Sequence, residues 1–401
     1  MSVRQTLVIY IPGHNDLERP EPRGNLLTSF IEELERIQTQ EDVHILIQLN
    51  SPQDGEVKRY RLSGGQVRCV QTLREEQRGQ AESLGSLLWW GQERYPAERY
   101  LLVVWNHGNS WNIRGFPFKP LYRKPFPYAA VARAMFSSTV KTILGRRELA
   151  EVVYADPHVS LRDFLDAVEL KKALEGLETR LEILSLDGCL VNLLEVAYQI
   201  KDAVHVLVGS EDVEPQKPWM QGKMFEKLSD QADLPPEDLA KAWVEMAHPA
   251  GEPRKVLSAL NLDGLGPVTE SVDRLALILK TDLPSVYEIL SGIRKQVQAF
   301  SNPNYIDLQD LAVLLKDVKD RADLKKESER LLASAGVPVL KSSKTEGAPN
   351  AQGIGIFYPE NKRVLTPYYQ KLDFALASSN WISFLKAYLD FTPRGIRRAR
   401  I

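Results

Sequence analysis

The sequence predicts an α/β fold built on a mostly parallel sheet covered on both faces. Three features of the N-terminal half carry that prediction. Short β-branched runs recur, as in 6–11 (TLVIYI) and 43–49 (VHILIQL). Amphipathic stretches long enough for helices stand between most of them. The runs are almost continuously apolar rather than alternating, which marks strands buried on both sides.

Taken in order, the run 6–11 reads as the first strand, and 25–36 (NLLTSFIEELER) has helical spacing. Strand 43–49 follows. The stretches 58–62 and 66–72, split by Ser63-Gly64-Gly65, read as a hairpin. A helix is expected over 81–95, a strand over 99–105 (RYLLVVW), a helix over 161–177 and a strand over 181–186 (LEILSL). A helix over 190–201 and a strand over 204–208 (VHVLV) complete the alternation. The pattern breaks over 109–159, where prolines and basic residues crowd together. A segment of that length inside a compact domain is read as a mobile loop with a function of its own.

Beyond residue 215 the chain turns mainly helical, with helices expected over 236–247, 264–280, 284–298, 307–317, 321–335 and 379–389. Strands are expected at 255–261 and 353–358, and 341–352 reads as a surface loop. The organisation expected is a catalytic domain over 1–235, a mainly helical C-terminal region with added strands over 236–392, and a basic tail over 393–401.

Composition excludes several classes. The 401 residues carry 51 basic and 53 acidic side chains, a net charge of −2, with 43% hydrophobic and 26% charged residues. That balance gives no field to draw the chain onto nucleic acid or an anionic membrane. No apolar stretch approaches the ~20 residues that span a bilayer. The N-terminal apolar run is too short for a signal-peptide core, so a cytoplasmic protein is expected. Two cysteines, Cys69 and Cys189, make neither a disulfide framework nor a thiolate metal site. The histidines at 14, 44, 158, 205 and 248 show no metal-ligand spacing, and no metal site is expected.

Chemistry gathers at strand ends, where ligands of parallel sheets bind. After 99–105 comes Asn106-His107-Gly108, after 181–186 comes Asp187-Gly188-Cys189, and after 204–208 comes Gly209-Ser210-Glu211-Asp212. A thiolate is the nucleophilic form of cysteine, and a nearby imidazole can take its proton and pass it to a leaving amine. Cys189 is expected to open the helix 190–201, whose dipole would favour the thiolate. The N–H groups of Gly108 and Cys189 are candidate donors to an oxyanion. Cys69, inside the hairpin, reads as a small buried hydrophobe. Glu211 and Asp212 stand either as acids for a substrate or as a solvated acidic turn.

The chain resembles the clostripain-like peptidases, in the clan that includes caspases, legumains, gingipains and separase. The resemblance rests on His107-Gly108 and Gly188-Cys189, on Gly13-His14-Asn15-Asp16-Leu17-Glu18, and on Tyr95-Pro96-Ala97-Glu98-Arg99-Tyr100. It rests also on Asp187-Gly188-Cys189-Leu190 with Glu195-Val196-Ala197-Tyr198, on Ser210-Glu211 and Trp219, and on Gly353 through Pro359. Trp381-Ile382-Ser383-Phe384-Leu385 fits as well. Asn109-Ser110 and Val191-Asn192 depart from the family pattern, which has Gly-Gly and Met-Gly there.

The resemblance implies a caspase-like three-layer α/β/α sandwich and a cysteine endopeptidase with His107 and Cys189 as its dyad. It implies cleavage after arginine or lysine, with Asp187 as the specificity acid aided by Glu211 and Asp212. It also makes self-processing between His107 and Cys189 an expectation, with Arg123, Lys124, Lys141, Arg146 and Arg147 as candidate bonds. The same loop could instead be an uncut lid or dock a regulatory protein. Calcium is allowed by the resemblance alone. The alternative is a caspase-like protein that binds a partner without cutting, or that cuts one dedicated partner, as in bacterial defence or cell death.

Overall fold

The structure is a computed structural model, and it describes residues 3–11, 31–37, 39–51, 56–63, 65–74, 80–105, 167–212, 227, 230–247, 256–365 and 367–391. The segment 109–159 and the tail lie outside the described residues, as do His107, Gly108 and Trp219.

Nine strands form one sheet. β1 (Gln5–Ile11), β2 (Val43–Ser51), β3 (Glu56–Ser63), β4 (Gln66–Arg74), β5 (Arg99–Trp105), β6 (Leu181–Asp187), β7 (Val204–Ser210), β8 (Leu257–Asn261) and β10 (Val339–Ser342) run in the order β10-β8-β7-β6-β5-β1-β2-β3-β4. The five central strands are mutually parallel. β3 and β4 extend one edge as the antiparallel hairpin, and β8 and β10 extend the other edge antiparallel. The C-terminal region therefore completes the sheet on which the N-terminal half is built.

Side chains alternate across this sheet because strand residues point to opposite faces. Leu7, Ile9, Ile45, Ile47, Leu101, Val103, Ile183, Val206 and Val208 fill one face. There Leu239 and Trp243 of the helix Pro236–Ala247 cover them. Val8, Tyr10, Leu46, Leu102, Val104, Leu184, Leu186 and Leu207 fill the other. The helices over that face are α1 (Gln80–Arg94), α2 (Ala167–Leu174) and α3 (Leu194–Ile200). In chain order the remaining helices are α4 (Pro236–Ala247), α5 (Leu265–Thr281), α6 (Leu283–Arg294), α7 (Leu308–Lys316), α8 (Ala322–Ala335), α9 (Asp373–Ala377) and α10 (Ser379–Asp390). Two short strands, β9 (Tyr305–Asp307) and β11 (Gly355–Phe357), pair antiparallel as a separate ribbon. No helix among the described residues is long and apolar enough to cross a membrane.

Three local expectations change. The helix after Cys189 starts at Leu194, not at 190, because residues 190–192 spend their N–H groups on the carbonyls of Ser210 and Asp212. The loop expected over 341–352 opens inside β10, which pairs with β8. Cys69 is exposed on the edge strand β4 rather than buried. A bulge between Arg59 and Tyr60 shifts the β3–β4 pairing beside it.

At the amino ends of β6 and β7, opposite the Cys189 edge, a charge cluster ties four elements together. His205 Nε2 meets Glu237 Oε1 at 2.8 Å and His205 Nδ1 meets Asp263 Oδ2 at 2.7 Å. Arg180 donates to the Lys201 and Val204 carbonyls and to Asp263. The bond from His205 holds the Glu237 carboxyl below its usual range. Burial pushes Asp263 upward, but Arg180 and His205 together keep it lowered. A depressed carboxylate contributes stability above its unfolded pKa and loses it as pH falls through the folded one. Glu237→Gln is therefore expected to lower the thermal midpoint at pH 7, with the difference from wild type vanishing as pH drops below ~4. Parallel melting curves at pH 7, 5 and 3.5 check this.

Candidate active site

β6 delivers Asp187 and Cys189 to the carboxyl edge of the sheet. Its last residue, Asp187, pairs in parallel register with Trp105, the last residue of β5. The chain then turns at once, as the Gly188 N–H donates to the Leu186 carbonyl at 2.9 Å. This i→i+2 bond is a γ-turn contact and lifts Cys189 off the strand line.

Beyond Cys189 the backbone is held from the neighbouring strand. Leu190 N–H donates to the Asp212 carbonyl at 3.1 Å. Val191 and Asn192 N–H both donate to the Ser210 carbonyl, at 2.9 and 3.0 Å. Leu190 adopts φ 55°, in the left-handed region. A β-carbon there costs on the order of 1 kcal/mol, and such geometry persists only where surroundings impose it. The three bonds to Ser210 and Asp212, with the buried Leu190 side chain, supply that imposition.

The far side of the loop leans on the C-terminal region. Asn192 is fully buried; its side-chain amide donates to Ser258 Oγ and to the Gly353 carbonyl, and its own carbonyl accepts from Gly355 N–H at 3.0 Å. Ser258 Oγ in turn donates to the Gly353 carbonyl at 2.7 Å. Gly353 has φ 112°, which an L side chain rarely adopts. Glu195 in α3 accepts from Phe357 N–H at 3.0 Å and from the Tyr369 hydroxyl at 2.9 Å. Burial raises its carboxyl to about 7.

The sequence-chosen residues separate into groups. Asp187 and Cys189 lie together, each 4% exposed, at the end of β6. Asp212 is half-buried beside them; its carbonyl holds Leu190 and its carboxylate accepts from Ser301 N–H at 2.8 Å. Glu211 faces inward. It is fully buried, and its Oε2 accepts from Gly353 N–H at 2.9 Å. The expected substrate role for Glu211 is replaced by a structural one, because an enclosed carboxyl bonded to the C-terminal backbone does not meet an arriving side chain. The expected helix-dipole activation of Cys189 also falls away: α3 begins five residues later, and a dipole's influence fades within one turn. Asn192 stands out in the sequence only as a departure from the family pattern, and nothing in the local sequence marks Ser258, which acts on a distant segment. Among the described residues no group of three or more His, Cys, Asp or Glu side chains is placed to hold a metal ion.

Comparisons with known proteins bear on the family and the fold. The model of the clostripain family matches residues 155–388, a stretch that includes Cys189 and begins after His107. The chain belongs to the clostripain family. It is accordingly a cysteine protease with a caspase-like fold. The X-ray structure of an inactive zymogen C11 protease from Parabacteroides distasonis is similar, with a TM-score of 0.63 at 17% identity over 94% of this chain and 99% of that one. A secreted C11 cysteine protease from Bacteroides thetaiotaomicron gives a TM-score of 0.64 at 16% identity, again over 94% of this chain and 99% of that one. A structure of a secreted C11 protease from the same organism, in complex with an irreversible peptide inhibitor, gives 0.62 at 13% identity over 93% and 98%. No curated relative matches the chain.

Within this clostripain-family fold, Gly209 sets how closely the Cys189 loop packs on β7. A Cβ at Gly209 would lie 2.8 Å from Val191 Cγ2. Gly209→Ala is expected to cost about 1–3 kcal/mol through overpacking and to slow alkylation of Cys189. Val191→Ala added to it removes the colliding methyl and restores both. Melting curves and the rate of iodoacetamide labelling at Cys189 measure the two effects, and a double variant no better than the single one counts against this packing.

Proposed function

We propose that the chain is an endopeptidase in which the Cys189 thiol attacks and His107 shuttles the proton. The observation that carries this reading is the Trp105–Asp187 pairing. His107 and Cys189 each follow one member of that pair by two residues, on adjacent parallel strands. A nucleophile and its base need that kind of proximity before anything else.

In the reaction, Cys189 Sγ attacks the peptide carbonyl, and N–H groups of Gly108 and Cys189 receive the developing oxyanion. The proton taken by His107 goes to the leaving amine. Water then hydrolyses the thioester, passing a proton to His107, and the thiol is regenerated as the acid product leaves.

Asp187, beside the nucleophile, is the carboxylate that reads an arginine or lysine before the cut bond, with Asp212 as the second acid on that edge. Planar guanidinium and a carboxylate make a strong charge-assisted pair. The burial of Cys189 and Asp187 supports a latent form opened by cleavage within 109–159. A similar structure being an inactive zymogen fits that reading.

Cys189→Ala and His107→Ala are each expected to lose activity by on the order of a thousandfold or more, without adding in the double variant. Asp187→Asn should cut kcat/KM on arginyl peptides roughly 10- to 100-fold, the worth of one charged hydrogen bond, while iodoacetamide still labels Cys189 at the wild-type rate. A fluorogenic panel with arginine, lysine, aspartate and leucine before the cut bond, run with N-terminal sequencing of the incubated protein, tests both specificity and self-processing. Hydrolysis by Cys189→Ala, or indifference of Asp187→Asn to arginine, sinks the corresponding assignment.

A further inference from the structure

Behind the Cys189 loop lie two carboxyl groups wholly shut off from solvent, Glu211 one residue past β7 and Asp307 at the end of β9. Each is tied to the same short segment. Glu211 Oε2 accepts from Gly353 N–H at 2.9 Å, and Asp307 Oδ2 accepts from Gln352 N–H at 2.6 Å. Asp307 Oδ1 caps α7 by accepting from Asp310 N–H at 2.7 Å. Glu211 Oε1 is buried with no N–H or O–H group bonded to it, and the carboxyl of Asp307 interacts with that of Glu211. Two buried carboxylates cannot both ionise side by side; one proton between them satisfies the orphaned oxygen and removes the repulsion.

That pair sits where the Cys189 loop is anchored. Ser210 and Asp212, either side of Glu211, supply the carbonyls that receive Leu190, Val191 and Asn192. Gly353, held by Glu211, presents its carbonyl to Asn192 and Ser258. Releasing Glu211 from Asp307 thus loosens both supports of the loop at once.

We propose that Glu211 is a positioning residue for the Cys189 nucleophile: with Asp307 it forms a proton-sharing carboxyl pair that locks the 352–354 segment to the end of β7, and loss of the shared proton releases the loop and lowers peptidase activity reversibly. The proposal rests on the reading of Cys189 as nucleophile. The charged groups that face the pair are Asp212 from the end of β7 and Asp310 from α7, both acids. Burial, then the opposing acid, raises Glu211 well above its ordinary range, and burial raises Asp307 to about 7. A carboxyl raised in the folded state contributes stability that is complete below its unfolded pKa and is lost as pH rises through the folded value. The window of loss therefore runs from about pH 4 to neutrality and beyond.

The test uses Glu211→Gln in the full-length protein, because its amide places a permanent N–H where the shared proton lies. The kcat/KM profile on an arginyl peptide is measured from pH 5 to 9, with the iodoacetamide labelling rate of Cys189 alongside. Expected is activity at pH 6 within about twofold of wild type and a descending alkaline limb moved upward by roughly one pH unit or more. Asp307→Asn sets an amide NH2 against one of the two N–H groups, of Asp310 and Gln352, that Asp307 accepts from, so it should lose activity at every pH, as should Glu211→Ala. The buried Glu195 is unchanged throughout, so it cancels from the comparison. Profiles of Glu211→Gln and wild type that superimpose, or a Gln variant as damaged as the Ala one, overturn the pair. Cys189→Ala runs as the control: if it is inactive while the profiles superimpose, the pair alone fails, and if it is active, the nucleophile reading fails and takes the proposal with it.

Discussion

Three backbone N–H groups, those of Leu190, Val191 and Asn192, reach across to the carbonyls of Ser210 and Asp212. Those bonds force the left-handed turn at Leu190 and delay α3 until Leu194. Without them a sequence such as Leu190-Val191-Asn192-Leu193-Leu194 would extend the helix toward Cys189, since nothing in it breaks a helix. The thiol's position is thus set by a neighbouring strand rather than by its own segment. Gly209 has room for this only because it lacks a Cβ.

The C-terminal region acts on the site through the same loop. Asn192 stands where the family pattern has glycine, and its amide spans from β8 to the 353 segment. Glu195 reaches Phe357 and Tyr369. Glu211 reaches Gly353 and faces Asp307. Buried polar groups of this kind are costly unless satisfied, and each satisfied one specifies a single arrangement. The Cys189 edge and the C-terminal ribbon are therefore parts of one polar network, and the sheet strands β8 and β10 bind them into one body.

Much of the frame was legible in the residues. The runs 6–11, 43–49, 99–105, 181–186 and 204–208 became the five central parallel strands, because continuous β-branched stretches have few other uses. The helix over 236–247 matches its expected bounds, with Pro236 at its first position. The pattern failed where residues were short of signal. β9 is three residues long, too short for any period to show, whereas β11 lies inside the strand expected at 353–358. β10 reads as a loop because only its pairing with β8 makes it a strand. Cys69 lies on an edge strand, where a hydrophobic-looking run can face water.

What the sequence determined by itself is the chemistry at the strand ends: His107-Gly108 after one strand, Asp187-Gly188-Cys189 after the next, and acids after the third. These follow from local periodicity, which needs only neighbours along the chain. What the tertiary structure decided is where each acid points. Asp187 stays beside Cys189 at the end of β6, while Glu211, one residue beyond β7, turns inward to Gly353 and Asp307. Successive residues of a strand face opposite ways, and which way leads to a substrate or to a core depends on what packs there. Here it is a segment from far along the chain, whose arrival no local pattern at Glu211 could announce.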